Sequence, residues 1–277
     1  HLEQGPCPYL RAWVEHLKAR GMDYADWALY TIDEPGLRDG LVDIHNKLGK
    51  LAREADPAIR IYTDPVGDAS LEDLQSMAPY TDIWCPHRNT IVNKPDTTKL
   101  DFIKSTGGTV FTYECQDNVK HRSPLGYYRG QAWLAWMHGF KAVGFWAYCT
   151  SQYDPWFNNG EAEYLLIYPG DGVVPSKRWH AVRDGIEDHA MLSALRDAAD
   201  AAEAAGRNPE AVAEARRLLG ADATVIARFC GLDDDGETPG PGGLAGQRRV
   251  EDRRWKAVQE ARAETARLLA ELTRETH

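Results

Sequence analysis

Two neighbouring acids, Asp33 and Glu34, stand in LYTIDEPG (29–36), between an apolar run and a Pro-Gly turn. A pair of carboxyls can divide labour: one moves a proton while the other stabilises a positive charge that develops nearby. Adjacency is the difficulty. Successive residues of a strand face opposite sides, and an acid turned into a core without a partner is costly. Both can serve one site only where the pleat ends, and Pro35-Gly36 ends it at once. The competing structural reading is an acid pair at a helix N-terminus, which the helix dipole favours.

Further candidate groups stand at the ends of other apolar runs. IRIYTDP (59–65) closes on Asp64, and YTDIWCPH (80–87) carries Trp84 and His87. GTVFTYEC (108–115) carries Tyr113 and Glu114, and AVGFWAYCT (142–150) carries Trp146 and Tyr148. Together they predict an opening ringed by carboxylates and aromatic faces. Such a lining suits a sugar, whose apolar ring face stacks on aromatics while its hydroxyls bond acids. Strand alternation sends roughly half of such tryptophans into the core instead. Asp64 fits a sugar hydroxyl, the orientation of a neighbouring acid, or the cap of the next helix. His87 reads as structural, because no second His stands at ligand spacing, and no metal is expected. No H-E-x-x-H, G-x-S-x-G or Walker loop is present, and no cofactor is expected.

The elements that must position these groups alternate. A helix over 8–20 shows Leu10, Trp13, Val14 and Leu17 at helical spacing. A second carries Leu41, Ile44, Leu48 and Leu51 on one stripe and stops at Asp56-Pro57. Short helices are predicted near 70–77, with Ser70 as N-cap and Asp73 three residues on, and over 98–105. PLGYYRGQAWLAWMHGF (124–140) reads as a helix, a long loop follows Thr150, and another helix begins near Ser176.

Five apolar strands separated by helices predict an α/β fold with a parallel sheet covered on both faces. An open doubly wound sheet should carry a glycine-rich phosphate loop after its first strand; DEPG stands there. A (β/α)8 barrel gathers catalytic groups at the carboxyl ends of its strands, as here. The expectation is therefore a TIM-type barrel over 1–197, with three further strands, on the order of 100 residues, ahead of His1. Without them the first strand would present an unpaired edge, and the chain alone is expected to be poorly soluble. The Ala-, Arg- and Glu-rich remainder, 198–277, predicts a helical extension with a flexible Gly/Pro/Asp linker at 231–247 and a last helix over 250–272.

The net charge of −10 argues against a nucleic-acid partner. The sequence holds no apolar run of membrane-spanning length. Five cysteines without a C-x-x-C pair argue against a zinc ribbon and read as small buried residues. On the helix that follows Ser176, Arg178, Arg183, Asp184, Glu187 and Asp188 stand at ion-pairing distances.

YTIDEPG, TDIWCPH, GFWAYC, DPW (154–156) and the block YLLIYPGDGVVPSKRWHAVRDGIEDHAMLSALRD (164–197) resemble the carboxyl-terminal part of the glycoside hydrolase family 123 catalytic domain. The resemblance covers about residues 8–200 and lacks the family's first strands and any preceding β-sandwich. It implies a β-N-acetylgalactosaminidase, with a glycan or glycoconjugate as partner and secretion or a periplasmic location by analogy. It also implies substrate-assisted retaining catalysis. Asp33 would hold and polarise the substrate's acetamide, while Glu34 would protonate the leaving oxygen and later activate water. Trp146 and Trp156 would wall the sugar subsite, and Tyr148 or Tyr113 would bond the acetamide oxygen. The alternatives are a glycosidase of other specificity, in which Asp33 or Glu34 pairs with Asp64 or Glu114 in a two-carboxylate mechanism, and a non-catalytic carbohydrate-binding remnant. Oligomeric state is not legible in the sequence.

Overall fold

The computed structural model describes residues 7–115, 123–149, 156, 165–231 and 243–274. The chain divides into two compact units: His1–Glu114 with Phe140–Gly144, and Cys115–Gly139 with Phe145–His277.

In the first unit strands and helices alternate: α1 (Cys7–Ala19), β1 (Leu29–Tyr30), α2 (Leu41–Ala55), β2 (Ile61–Thr63), α3 (Leu71–Met77), β3 (Ile83–Trp84), α4 (Thr98–Ser105), β4 (Thr109–Val110), β5 (Thr112–Glu114) and all but the last residue of β6 (Val143–Phe145). β1 to β4 form one parallel sheet in sequence order. β4 and β5 are a single run of backbone, as GTVFTYEC predicts: Phe111 N–H donates to Trp84 O at 2.7 Å, and Thr112 N–H to Ala142 O at 3.1 Å on the other side. The ladder also continues past β2 and β3, with Cys85 N–H on Thr63 O at 2.7 Å and His87 N–H on Pro65 O at 3.1 Å. Backbone bonds thus fix the carboxyl ends where the candidate residues stand.

The core between sheet and helices holds Val14, Ala52, Ile59 and Ile61, with Leu10, Trp27 and Leu29 packed against them. Burying each isoleucine contributes roughly 2 kcal/mol. α2 turns a different stripe inward from the one its leucines predict. His45, Gly49, Ala52 and Ala55 are buried, whereas Ile44 is 42% exposed. Close packing selects the small residues: a Cβ on Gly49 would meet Tyr80 Cβ at 2.6 Å. Ser70 caps α3 with the reciprocal Asp73 bond that the spacing predicts. At the edge of the four-stranded sheet, a shallow apolar cleft beside β1 is lined by Tyr9, Leu10, Leu29, Leu48 and Leu51.

The second unit contains α5 (Gly130–His138), the hairpin β7 (Ile167–Gly170) and β8 (Gly172–Pro175), then α6 (Lys177–Ala204), α7 (Pro209–Arg217), α8 (Ala223–Gly231) and α9 (Gly243–Thr273). Leu125, Trp133, Leu192, Leu195, Leu218 and Leu268 belong to its main core. Sequence patterning missed the hairpin, which turns at Gly172 in the left-handed region, φ 99°. α6 runs unbroken through Asp197, so no element ends where the composition shifts. Residues 243–247, expected as linker, are helical, and 232–242 lie outside the described residues. Only part of the expected pairing along α6 stays within the helix. Arg183 pairs with Asp184 and Glu187, while Asp188 accepts from Arg129, Trp133 and Arg262, and Arg178 donates to Leu165 O and Tyr168 Oη.

Candidate active site

β1 ends at Tyr30, so Asp33 and Glu34 lie beyond the pleat, in the bend the sequence predicts. The residue between strand and bend is pinned from below. Thr81 donates its hydroxyl to Met77 O at 3.1 Å, so it accepts from His45 Nε2–H, also at 3.1 Å. His45 Nδ1 is then the acceptor for the Thr31 hydroxyl at 2.7 Å. Burial pushes the His45 pKa down to about 4, which keeps the imidazole neutral and this chain of bonds intact at pH 7.

Glu34 takes a left-handed backbone conformation, φ 46°. This is uncommon for a residue with a side chain and costs of order 1–3 kcal/mol. Two bonds hold it: its N–H donates to Asp64 Oδ1 at 3.2 Å, and the Tyr113 hydroxyl donates to Glu34 Oε1. Gly36, φ 101°, completes the turn where only glycine fits, because a Cβ there would meet Ala69 N at 2.6 Å. Asp33 is exposed and Glu34 half-buried. From this one turn Asp33 reaches the Tyr30 hydroxyl and Glu34 the Tyr113 hydroxyl.

Tyr30 joins Asp33 to Asp64. Its hydroxyl lies 2.5 Å from Asp33 Oδ1 and 2.7 Å from Asp64 Oδ2. The Tyr62 ring meets Tyr30 edge-on, 5.2 Å between centroids. Burial pushes Asp64 up to about 7, helped by the Asp33 charge and opposed by the bonds from Tyr30 and Glu34 N–H. Burial likewise raises the Cys85 thiol, beside Tyr62, to about 12.

These three carboxylates contrast with Asp82 at the opposite end of the strands. Asp82 pairs with Arg53 at 2.7 Å and accepts from Ile61 N–H at 2.7 Å, a plain structural clamp. The hydrogen-bond partners of the Asp33, Glu34 and Asp64 carboxylates among the described residues are tyrosine hydroxyls and backbone N–H groups. Gathering acids with no cation among their described hydrogen-bond partners is electrostatically unfavourable, a pattern typical of functional sites.

Behind Tyr113 lies a second, closed cluster. The His87 ring packs edge-on against Tyr113, 4.9 Å between centroids, and His87 pairs with Tyr113 in a backbone bridge. His87 Nε2 stands 3.4 Å from Glu114 Oε1, and Arg88 Nε 3.7 Å from Glu114 Oε2. Glu114 and Trp84 are wholly buried and His87 nearly so. The sequence placed all three around an opening; all three are instead buried, Trp84 and His87 within a stretch, 83–88, in which every residue is buried. Trp146, Tyr148 and Trp156 belong to the second unit and are each more than half exposed. There Tyr148 packs edge-on against Trp179, and Trp156 Nε1–H donates to Pro169 O at 3.1 Å.

The structure thus brings together Asp33, Glu34, Asp64 and Tyr113 and adds Tyr30, which sequence reasoning missed. Its signal was present: a tyrosine three residues before Asp33, as the last strand residue. Among the described residues no group of His, Cys, Asp and Glu is arranged to hold a metal ion, and no helix is long and apolar enough to cross a membrane. A scan against protein-family models finds no match for the chain, and a search of curated proteins finds no relative.

Proposed function

We propose that the protein is a glycoside hydrolase acting on terminal β-linked N-acetylhexosamine, N-acetylgalactosamine foremost, by substrate-assisted retaining catalysis. One observation carries the reading: two adjacent carboxylates share one turn, each fixed by a tyrosine hydroxyl. A retaining glycosidase of the usual kind needs two carboxyls about 5 to 5.5 Å apart across the scissile bond, and substrate-assisted enzymes are the exception. If the substrate supplies the nucleophile, both acids belong on one side.

The acetamide oxygen attacks the anomeric carbon as the bond to the leaving oxygen breaks, and Glu34 gives that oxygen its proton. The resulting oxazolinium carries a positive charge on the acetamide, which Asp33 stabilises by accepting from its N–H. Glu34, now a carboxylate, takes a proton from water as the water attacks the anomeric carbon and opens the ring. The Tyr113 hydroxyl keeps Glu34 aimed.

The fold we propose for this chemistry is part of a (β/α)8 barrel. Its support is the order β1-β2-β3-β4, each strand added on the same side. A doubly wound sheet reverses its order at a switch point, whereas a barrel advances one way.

A two-carboxylate mechanism with Asp64 as the acid is the second reading, favoured by its pKa near 7. A thiazoline analogue of N-acetylgalactosamine, which mimics the oxazoline, separates the two. The first reading expects tight binding that weakens about 100-fold in Asp33→Asn, the loss of one charge-stabilising group. Cleavage of an aryl N-acetylgalactosaminide with indifference to the thiazoline would sink it.

A further inference from the structure

The Tyr30 hydroxyl has one proton and two carboxylate neighbours, at 2.5 and 2.7 Å. Two short O···O contacts need two protons, since bare oxygens at that separation repel. One of the two carboxyls must therefore hold the second. Asp33 is exposed to water, whereas Asp64 is buried, and burial disfavours its charged form. Asp64 Oδ1 already accepts from Glu34 N–H, which leaves Oδ2, the atom facing Tyr30, to carry the proton.

We propose that Tyr30 and Asp64 are positioning residues: protonated Asp64 donates to Tyr30 Oη, so that the Tyr30 hydroxyl must point its own proton at Asp33 and hold that carboxylate fixed in direction. The pair rests on the reading of Asp33 as the acetamide-holding group. The ionisable groups around Asp64 are Tyr30 on β1, Asp33 and Glu34 on the following turn, Tyr62 on β2 and Cys85 after β3. Among the described residues none of these is a cation, so nothing among them draws the proton off. When Asp64 ionises, two carboxylates compete for one tyrosine proton and Asp33 loses its fixed partner.

Asparagine imitates the protonated acid: its amide N–H can serve Tyr30 Oη while its oxygen accepts from Glu34 N–H. Alanine imitates neither. The experiment has two arms. In the first, carboxyl carbons of 13C-labelled aspartate are titrated by NMR in the full chain without substrate. A resonance with its midpoint near 7, absent in Asp64→Asn, is expected; an Asp64 midpoint below about 5, the ordinary carboxylate range, overturns the pair whatever the enzyme cleaves. In the second, kcat/KM on an aryl N-acetylgalactosaminide is followed against pH. The wild type should fall about tenfold per pH unit above its alkaline pKa, as loss of one essential proton requires. Glu34, the general acid, gives an alkaline limb of its own, so Asp64→Asn should keep only the limb set by Glu34 and exceed Asp64→Ala at least tenfold. Tyr30→Phe should lower kcat more than it raises KM. Asparagine no better than alanine overturns the positioning role. A neutral titration in a protein that cleaves no N-acetylhexosaminide leaves the proton pair standing and removes the glycosidase reading instead.

Discussion

The backbone N–H of Glu34 donates to Oδ1 of Asp64 at 3.2 Å, tying the turn after β1 to the end of β2. This bond and the Tyr30 bridge make three acids from two loops into one unit. Its strength depends on the left-handed backbone of Glu34, which aims the N–H at Asp64 and sends the side chain towards Tyr113.

Glu34 as proton donor predicts a leaving-group dependence. Glu34→Gln should lower kcat about 10²- to 10⁴-fold on glycosides with poorly acidic leaving groups, the usual contribution of general acid catalysis. Activated aryl glycosides, whose leaving groups need no proton, should lose far less in their first step. Equal losses across a series of leaving groups would remove the acid role.

His45 and Asp64 give opposed pH signatures. His45 is lowered from 6.5 to about 4, so between those values the unfolded chain binds the extra proton and stability rises with pH. Asp64 is raised from 3.8 to about 7, so the folded protein binds the extra proton and stability falls as pH rises through that window. The two contributions, about 3 and about 4 kcal/mol at full extent, should largely cancel between pH 4 and 6.5. Asp64→Asn should expose the rising slope and His45→Gln the falling one, read as denaturation midpoints across that range. Parallel profiles for wild type and both variants would contradict the assignments.

In the second unit Asp188 receives Arg129 at 2.7 and 2.9 Å, Trp133 at 3.0 Å and Arg262 at 3.0 Å. Arg129 is buried, so removing the carboxylate leaves a guanidinium without its countercharge. Asp188→Ala should destabilise the protein by about 3–5 kcal/mol, measured by denaturant unfolding. A loss under 1 kcal/mol would show that water reaches Arg129.

Much of this was legible because local rules and tertiary packing agree. The run of apolar segments gave each parallel strand, Ser70 and Asp73 marked a helix start, and Pro35-Gly36 placed the acids outside the pleat. What failed to show depends on through-space neighbours. Gly49 faces inward only because Tyr80 approaches it, which no periodicity of leucines reveals. Trp84 and Glu114 look like site residues by type, but type does not say which side of the strand a residue takes. Tyr30 matters only because Asp64, thirty-four positions on, lies beside it in the sheet.

The φ of 46° at Glu34 makes a last prediction about strain held for function. Glu34→Ala and Glu34→Gly both remove the carboxylate and the Tyr113 bond, so their difference isolates the backbone. Alanine in the left-handed region costs about 1–2 kcal/mol, against which glycine gives back about 0.4–1 kcal/mol through its freer unfolded chain. Glu34→Gly should therefore be the more stable of the two by up to about 1.6 kcal/mol while both lack acid catalysis. Greater stability of the alanine variant in denaturant unfolding would mean that the turn relaxes once the side chain is gone. The left-handed geometry would then be imposed by the Tyr113 bond rather than by the turn itself.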